Sequence, residues 1–262
     1  MDFLHAISVP FVLSGFGVGF LVGMTGVGGG SLMTPILILF FSISPEKAVV
    51  TDLLYAAITK TGGSLMHGLQ NTIDWRVVGR LATGSIPAVI ITLSVLHYLG
   101  LDSAATNALI TKVLGVALLF TAIALFFRRR LLETYQRRVG TLSEEQTVRY
   151  TIITGAVLGS LVSISSVGAG ALGVTALILL YPQLPIVRIA GSDIAHAVPL
   201  TLVAGMGHLI GGTLHMAVLG SLLLGSLPGI IIASRIAPKV PDNVLRIVLA
   251  STLVVVSSQL LF

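Results

Sequence analysis

The sequence has no cysteine, one tryptophan and little charge: 10% of its 262 residues are Asp, Glu, Lys or Arg. Without cysteine there is no disulfide scaffold, no thiolate metal site and no thiol redox chemistry. A soluble domain carries about 25% charged residues. One this apolar would have too little polar surface to face water. The composition is 55% hydrophobic, with a mean hydropathy of +1.02. Together these place the chain in a bilayer. Fifteen Lys and Arg against ten acidic residues leave a net charge of +5. That excess is spread over loops between apolar segments, so it forms no nucleic-acid footprint.

Apolar segments fall at 8–24, 31–43, 46–68, 77–99, 107–127, 150–165, 171–181, 190–211, 217–235 and 244–261. A spanning helix needs about 20 residues. Most segments meet that; 31–43 and 171–181 do not. The N-terminus lacks a basic region and a small-residue cleavage site, so it reads as the first membrane segment. The longest polar stretch, Arg128–Arg149, holds six Arg. The chain accordingly divides into a first transmembrane repeat (1–127), a basic cytoplasmic linker (128–149) and a second repeat (150–262).

The halves resemble each other. Gly15–Leu32 aligns with Gly155–Leu172 at an offset of 140. At 141, Asp52 meets Asp193, His67 meets His208, Thr72 meets Thr213, and Gly84-Ser85-Ile86-Pro87 meets Gly225-Ser226-Leu227-Pro228. Polar residues matching in order argue for duplication, the usual build of secondary transporters. Basic residues favour cytoplasmic loops. Placing the Arg-rich linker inside, with an odd number of crossings per repeat, also puts Arg76, Arg80, Arg188, Arg235, Lys239 and Arg246 inside. Four crossings per repeat would export Arg188 and the Arg235–Arg246 cluster. Inverted repeats are therefore expected.

Gly26-Val27-Gly28-Gly29-Gly30 and Gly168-Ala169-Gly170 interrupt apolar runs. Each Gly costs a helix interior about 1 kcal/mol relative to Ala. Such runs mark unwound backbone, which a membrane tolerates only inside protein or beside water. Each repeat can thus start with a broken or re-entrant helix pair. The second short helix then begins near Ser31 or Ala171, and its N-terminus offers free N–H groups to an anion. Thr34, Ser165 and Ser166 lie close by in sequence. The alternative is close helix packing, because Gly15, Gly19 and Gly23 also have small-xxx-small spacing.

Within the apolar segments lie Asp52, Lys60, His67, Asp193, His196 and His208. Such residues are expensive in lipid and face a cavity or a partner. Asp52, Lys60 and His67 are spaced to share one helix face, and Asp193 and His196 are one turn apart. Lys60 sits too deep to snorkel easily, which suits pairing with Asp52 or with an anion. Asp52 and Asp193 fit helix caps as well as functional carboxylates. His67 and His208 fit proton relays as well as helix-end histidines. There is no metal-ligand cluster, no H-E-x-x-H, no G-x-S-x-G and no P-loop. Ser165 or Ser166 with His196 is the one nucleophile–base pair available, so an enzyme is not expected, and neither is a cofactor.

The chain resembles the TauE/SafE family of membrane permeases. The resemblance rests on the glycine run from Gly19 to Pro35, on Thr51-Asp52, His67-Gly68, Thr72-x-Asp74-Trp75 and Gly84-Ser85-x-Pro87, and on Gly191-Ser192-Asp193 and Gly225-Ser226-Leu227-Pro228-Gly229. It covers nearly the whole chain. It departs in the second half, where the glycine run is reduced and Thr175 stands in place of Pro35. The resemblance implies a bacterial inner-membrane transporter of small anions such as sulfite or organosulfonates. The expected fold is an all-α polytopic membrane protein of two inverted-topology repeats, each with a broken or re-entrant helix pair and about three spanning helices. The substrate would meet Gly28, Gly29, Gly30, Ser31, Thr34, Lys60, Ser165, Ser166, Gly168 and Gly170. Asp52, His67, Asp193, His196 and His208 would couple or gate. A passive anion channel remains the alternative. Lipid or a second copy of the chain would suit the outer apolar faces equally.

Overall fold

The computed structural model describes residues 7–25, 30–100, 103–139, 142–209, 216–236, 240 and 242–261. Ten helices and no strands occur among the described residues. The first half holds α1 (Val9–Thr25), α2 (Gly30–Leu39), α3 (Pro45–Leu69), α4 (Trp75–Tyr98) and α5 (Ser103–Val139). The second holds α6 (Glu144–Ser165), α7 (Ala171–Leu180), α8 (Ile186–Leu209), α9 (Met216–Ile236) and α10 (Asp242–Leu261). The helix starts repeat the sequence offset: Gly30 with Ala171, Pro45 with Ile186, Trp75 with Met216.

This is a multi-pass membrane protein. Trp75–Tyr98, Ser103–Arg128, Glu144–Ser165, Ile186–Leu209 and Met216–Ala233 are long and apolar enough to cross a bilayer. Helix α3 is as long, with 25 residues, but contains Glu46, Lys47, Asp52 and Lys60. Large apolar side chains such as Ile90, Ile91, Phe120, Phe126 and Val255 face outward, as lipid-facing residues do. Exposed Trp75 and Tyr98 bracket α4, as aromatic anchors bracket a spanning helix. Helix α5 continues through Arg130 to Val139, so most of the basic stretch between the repeats is helical. Ser143 starts α6 with a capping box, its hydroxyl and the Gln146 side chain serving each other's backbone N–H.

Glycine sets the packing between halves. On α1, Gly15, Gly19 and Gly23 face Leu222, Ser226 and Ile230 of α9. The numbers rise together, so these helices run parallel. Gly155 and Gly159 of α6 face Leu81 and Ser85 of α4 in the same sense. At each of these positions a Cβ would strike the neighbouring backbone, so the small-xxx-small alternative is realised here. The first helix of each half therefore packs on the fourth helix of the other. Helices α3 and α8 cross antiparallel: His67 and Thr72 lie at Gly191, Gly63 at Ile194, and Leu53 and Leu54 at Gly205.

Each half opens with a helical hairpin whose outer ends meet. Phe11, near the start of α1, stacks on Phe41, just past α2, with ring centroids 4.2 Å apart. At the same mouth of the second half, Thr151, the counterpart of Phe11, and Tyr181, the counterpart of Phe40, share a hydrogen bond of 2.8 Å. Helix α1 ends at Thr25 and α2 starts at Gly30, whereas α6 ends at Ser165 and α7 starts at Ala171, so one more residue separates the second pair. That insertion corrects the alignment of Pro35 with Thr175: the helix starts place Thr34, not Pro35, at Thr175.

Candidate functional site

The turn between α6 and α7 is visibly unwound. Ser166 is left-handed at φ 60°, and Gly168 and Gly170 have φ of 128° and 131°, values that L side chains avoid. This is the break expected from the second glycine run. In the first half Gly30 opens α2, whereas Gly28 and Gly29 lie outside the described residues.

The hairpin tips come up against α3 and α8. Asp52, on α3, accepts hydrogen bonds from the backbone N–H and the hydroxyl of Thr34, on α2. Eight residues further along α3, the Lys60 ammonium donates to the Ala169 carbonyl at the tip of the second hairpin, at 3.1 Å. One helix of the first half thus holds both hairpins. On α8, Asp193 lies against α7 at Gly173, where a Cβ would collide with its carboxylate. His196, one turn on, meets the Ser85 hydroxyl of α4 at 2.8 Å through Nε2. Asp52 and Asp193 both lie within Coulombic reach of Lys60.

This cluster is sealed. Asp52 and His196 are 0% exposed, Asp193 1% and Lys60 7%. Among the described residues, three of its polar atoms have no hydrogen-bond partner: Oδ1 of both aspartates and Nδ1 of His196. Buried polar atoms normally find partners.

Other expected site residues divide. Ser31 is buried, and Thr34 serves Asp52. Ser165 donates to the Leu161 carbonyl and accepts from the Val167 N–H, so it ends α6. Ser166 instead turns its hydroxyl to Asp52. His67 bonds the Thr72 hydroxyl, and His208 Nε2 meets the Ser163 carbonyl. The two histidines stand at opposite ends of the α3–α8 pair, apart from the central cluster. Neither aspartate caps its helix: α3 starts at Pro45 and α8 at Ile186, so both carboxylates lie two turns in.

A sequence model of the family described as "Sulfite exporter TauE/SafE" matches residues 11–260. The chain belongs to the TauE/SafE family. Among its relatives is the "Probable membrane transporter protein YjnA" of Bacillus subtilis (strain 168). It is 36% identical over 257 residues, covering 97% of this chain and 100% of that protein. The "Probable membrane transporter protein YdhB" of the same organism is 25% identical over 259 residues, 96% of this chain and 99% of that one. No solved structure matches the chain.

The TauE/SafE motifs acquire physical roles. In Gly191-Ser192-Asp193, glycine admits His67, serine accepts from the Asp74 N–H at 2.8 Å, and aspartate faces α7. In Thr72-x-Asp74-Trp75, Asp74 caps α4 and pairs with Arg188 at 3.7 Å. Sequence reasoning missed Tyr55 and Ala169 as members of the cluster. Tyr55 was legible as the residue 141 before His196. Ala169 acts through its carbonyl, which no side chain announces.

Proposed function

We propose that this TauE/SafE protein is a secondary transporter that carries a small oxyanion, sulfite or an organosulfonate, by alternating access. The observation that carries the reading is Lys60, a buried ammonium held at the tip of a broken helix pair, with unspent polar atoms around it. The family description supports sulfite as the substrate and export as the direction. The antiparallel α3–α8 crossing supports repeats inverted across an inner membrane, with the basic stretch 128–149 cytoplasmic and 1–127 and 150–262 as the two repeats. The two hairpins then enter from opposite faces and present their tips to one central site.

Charge bookkeeping supports proton coupling. Two ionised carboxylates and one ammonium leave the site negative, which repels an anion. Protonating Asp52 or Asp193 removes that repulsion, so the anion enters with protons. Gly30, Ser31, Ser166, Gly168 and Gly170 supply backbone and hydroxyl donors, with the unplaced Gly28 and Gly29 as further candidates. His67 and His208, at opposite ends, are assigned to gating.

The test is sulfite flux in proteoliposomes across an imposed pH gradient. Saturable flux that follows the gradient and shows counterflow supports the carrier. Ohmic, unsaturable conduction would make the protein a channel.

A further inference from the structure

The duplicated G-S-x-P motif has a role that transport by Lys60 leaves unexplained. Its glycines, Gly84 and Gly225, face Ile152 of α6 and Val12 of α1, where a Cβ would strike a backbone carbonyl. They let the crossing helix approach. The serines turn the other way. Ser85 is 0% exposed and reaches from α4 to His196 on α8, 111 residues away. Most buried hydroxyls here donate to their own helix, as Thr121, Thr151 and Thr201 do. Ser85 does not: among the described residues its bond is to His196. Ser226, its counterpart, donates to the Leu223 carbonyl of its own helix at 3.4 Å and also lies beside the Tyr55 hydroxyl; Tyr55 is the counterpart of His196. Each motif thus brings a serine to the same position of the opposite repeat's third helix, and Ser85 alone of the two is spent wholly across the interface among the described residues.

The Ser85 hydroxyl needs an acceptor, and a neutral imidazole has one donor nitrogen and one acceptor nitrogen. If Ser85 donates to Nε2, the proton of His196 sits on Nδ1, the nitrogen with no partner among the described residues. We propose that Ser85 is a positioning residue that holds His196 as its Nδ1–H tautomer, so that a neutral imidazole N–H meets the anion beside Lys60. The proposal rests on the transport reading for the anion but not for the tautomer. It gives the site a directed donor without a second buried cation, which would cost desolvation. Tyr55, beside Ser226, presents a hydroxyl from the equivalent place.

Two measurements test it. In protein labelled with ¹⁵N-histidine, the His196 signal is assigned by its loss in His196→Asn. Protonated Nδ1 and bare Nε2 are expected without substrate, with the Nε2–H form appearing in Ser85→Ala. An Nε2–H imidazole in the native protein overturns the proposal. In proteoliposomes, Ser85→Ala should raise the sulfite KM about fivefold, the worth of one hydrogen bond, with kcat kept. An Asn amide places a donor near the Nδ1 position whatever Ser85 does. In the His196→Asn background, Ser85→Ala should therefore add less than twofold. The same fivefold penalty in both backgrounds would mean that Ser85 only packs, and overturns the proposal. Native protein that moves no sulfite overturns the transport reading and the anion contact with it, while the tautomer still stands or falls on the ¹⁵N shifts.

Discussion

Lys60 donates to the carbonyl of Ala169 at 3.1 Å, so a side chain of the first half is spent on a backbone atom of the second. The equivalent of Lys60 in the second half is Thr201, whose hydroxyl bonds its own helix. The pseudo-symmetry is broken at this position, and the single central ammonium belongs to one repeat.

Removing that ammonium tests its role. Lys60→Met keeps the length and apolar stem of the side chain. Sulfite flux should fall about 10- to 100-fold, the range of a charge-assisted hydrogen bond. Folded yield from detergent should change far less, because Asp52 and Asp193 can take up protons when the cation is gone. Unchanged flux would remove Lys60 from the site.

Proton coupling makes a prediction about Asp193. On the proposed coupling, protonated carboxyls admit the anion, so sulfite affinity should rise as pH falls. Asp193→Asn imitates the protonated form and should flatten that dependence, leaving affinity at the higher pH closer to its low-pH value. A pH profile as steep as the native one would show that Asp193 does not carry the coupled proton.

Glycines of two kinds should respond in opposite ways. Gly84→Ala and Gly225→Ala drive a methyl group into the carbonyls of Ile152 and Val12, and each should cost about 1–3 kcal/mol or more. Gly79 has open space around a Cβ within α4, so Gly79→Ala should stabilise by up to about 1 kcal/mol. Thermal unfolding in detergent checks both signs.

The hairpin mouths are closed by different chemistry, which predicts unequal sensitivity. Tyr181→Phe removes hydrogen bonds to Thr151 and Arg80 and should cost about 1–2 kcal/mol. Phe41→Tyr places a hydroxyl by stacked Phe11 without a designed partner, and should gain nothing. Comparing the unfolding midpoints of the two variants decides the point.

Much of this architecture was legible because duplication repeats a signal. Asp52 with Asp193 and the two G-S-x-P motifs marked equivalent helices, and the second glycine run marked the turn between α6 and α7. Periodicity also placed Asp52 and Lys60 on one face of α3, and both are buried against the two hairpins. His67 shares that face by spacing, yet it lies too far along α3 and bonds Thr72 instead. Ser165 and Ser166 looked alike in sequence; only the left-handed backbone at Ser166 separates a helix-ending hydroxyl from one turned to Asp52. Which helix pairs with which could not be read, because every outer face is similarly apolar and the glycine contacts reach across halves.

That exchange of partners has a consequence for biosynthesis. Gly15 of α1 packs on Leu222 of α9, and a ribosome adding about 5–20 residues per second needs roughly 10–40 s to reach from one to the other. During that interval α1 is in the membrane without its mate, and α4 likewise awaits α6. The early half must be sheltered by lipid, by the insertion machinery or by a chaperone until the late half arrives, so stalled or truncated chains should be prime targets for membrane quality control.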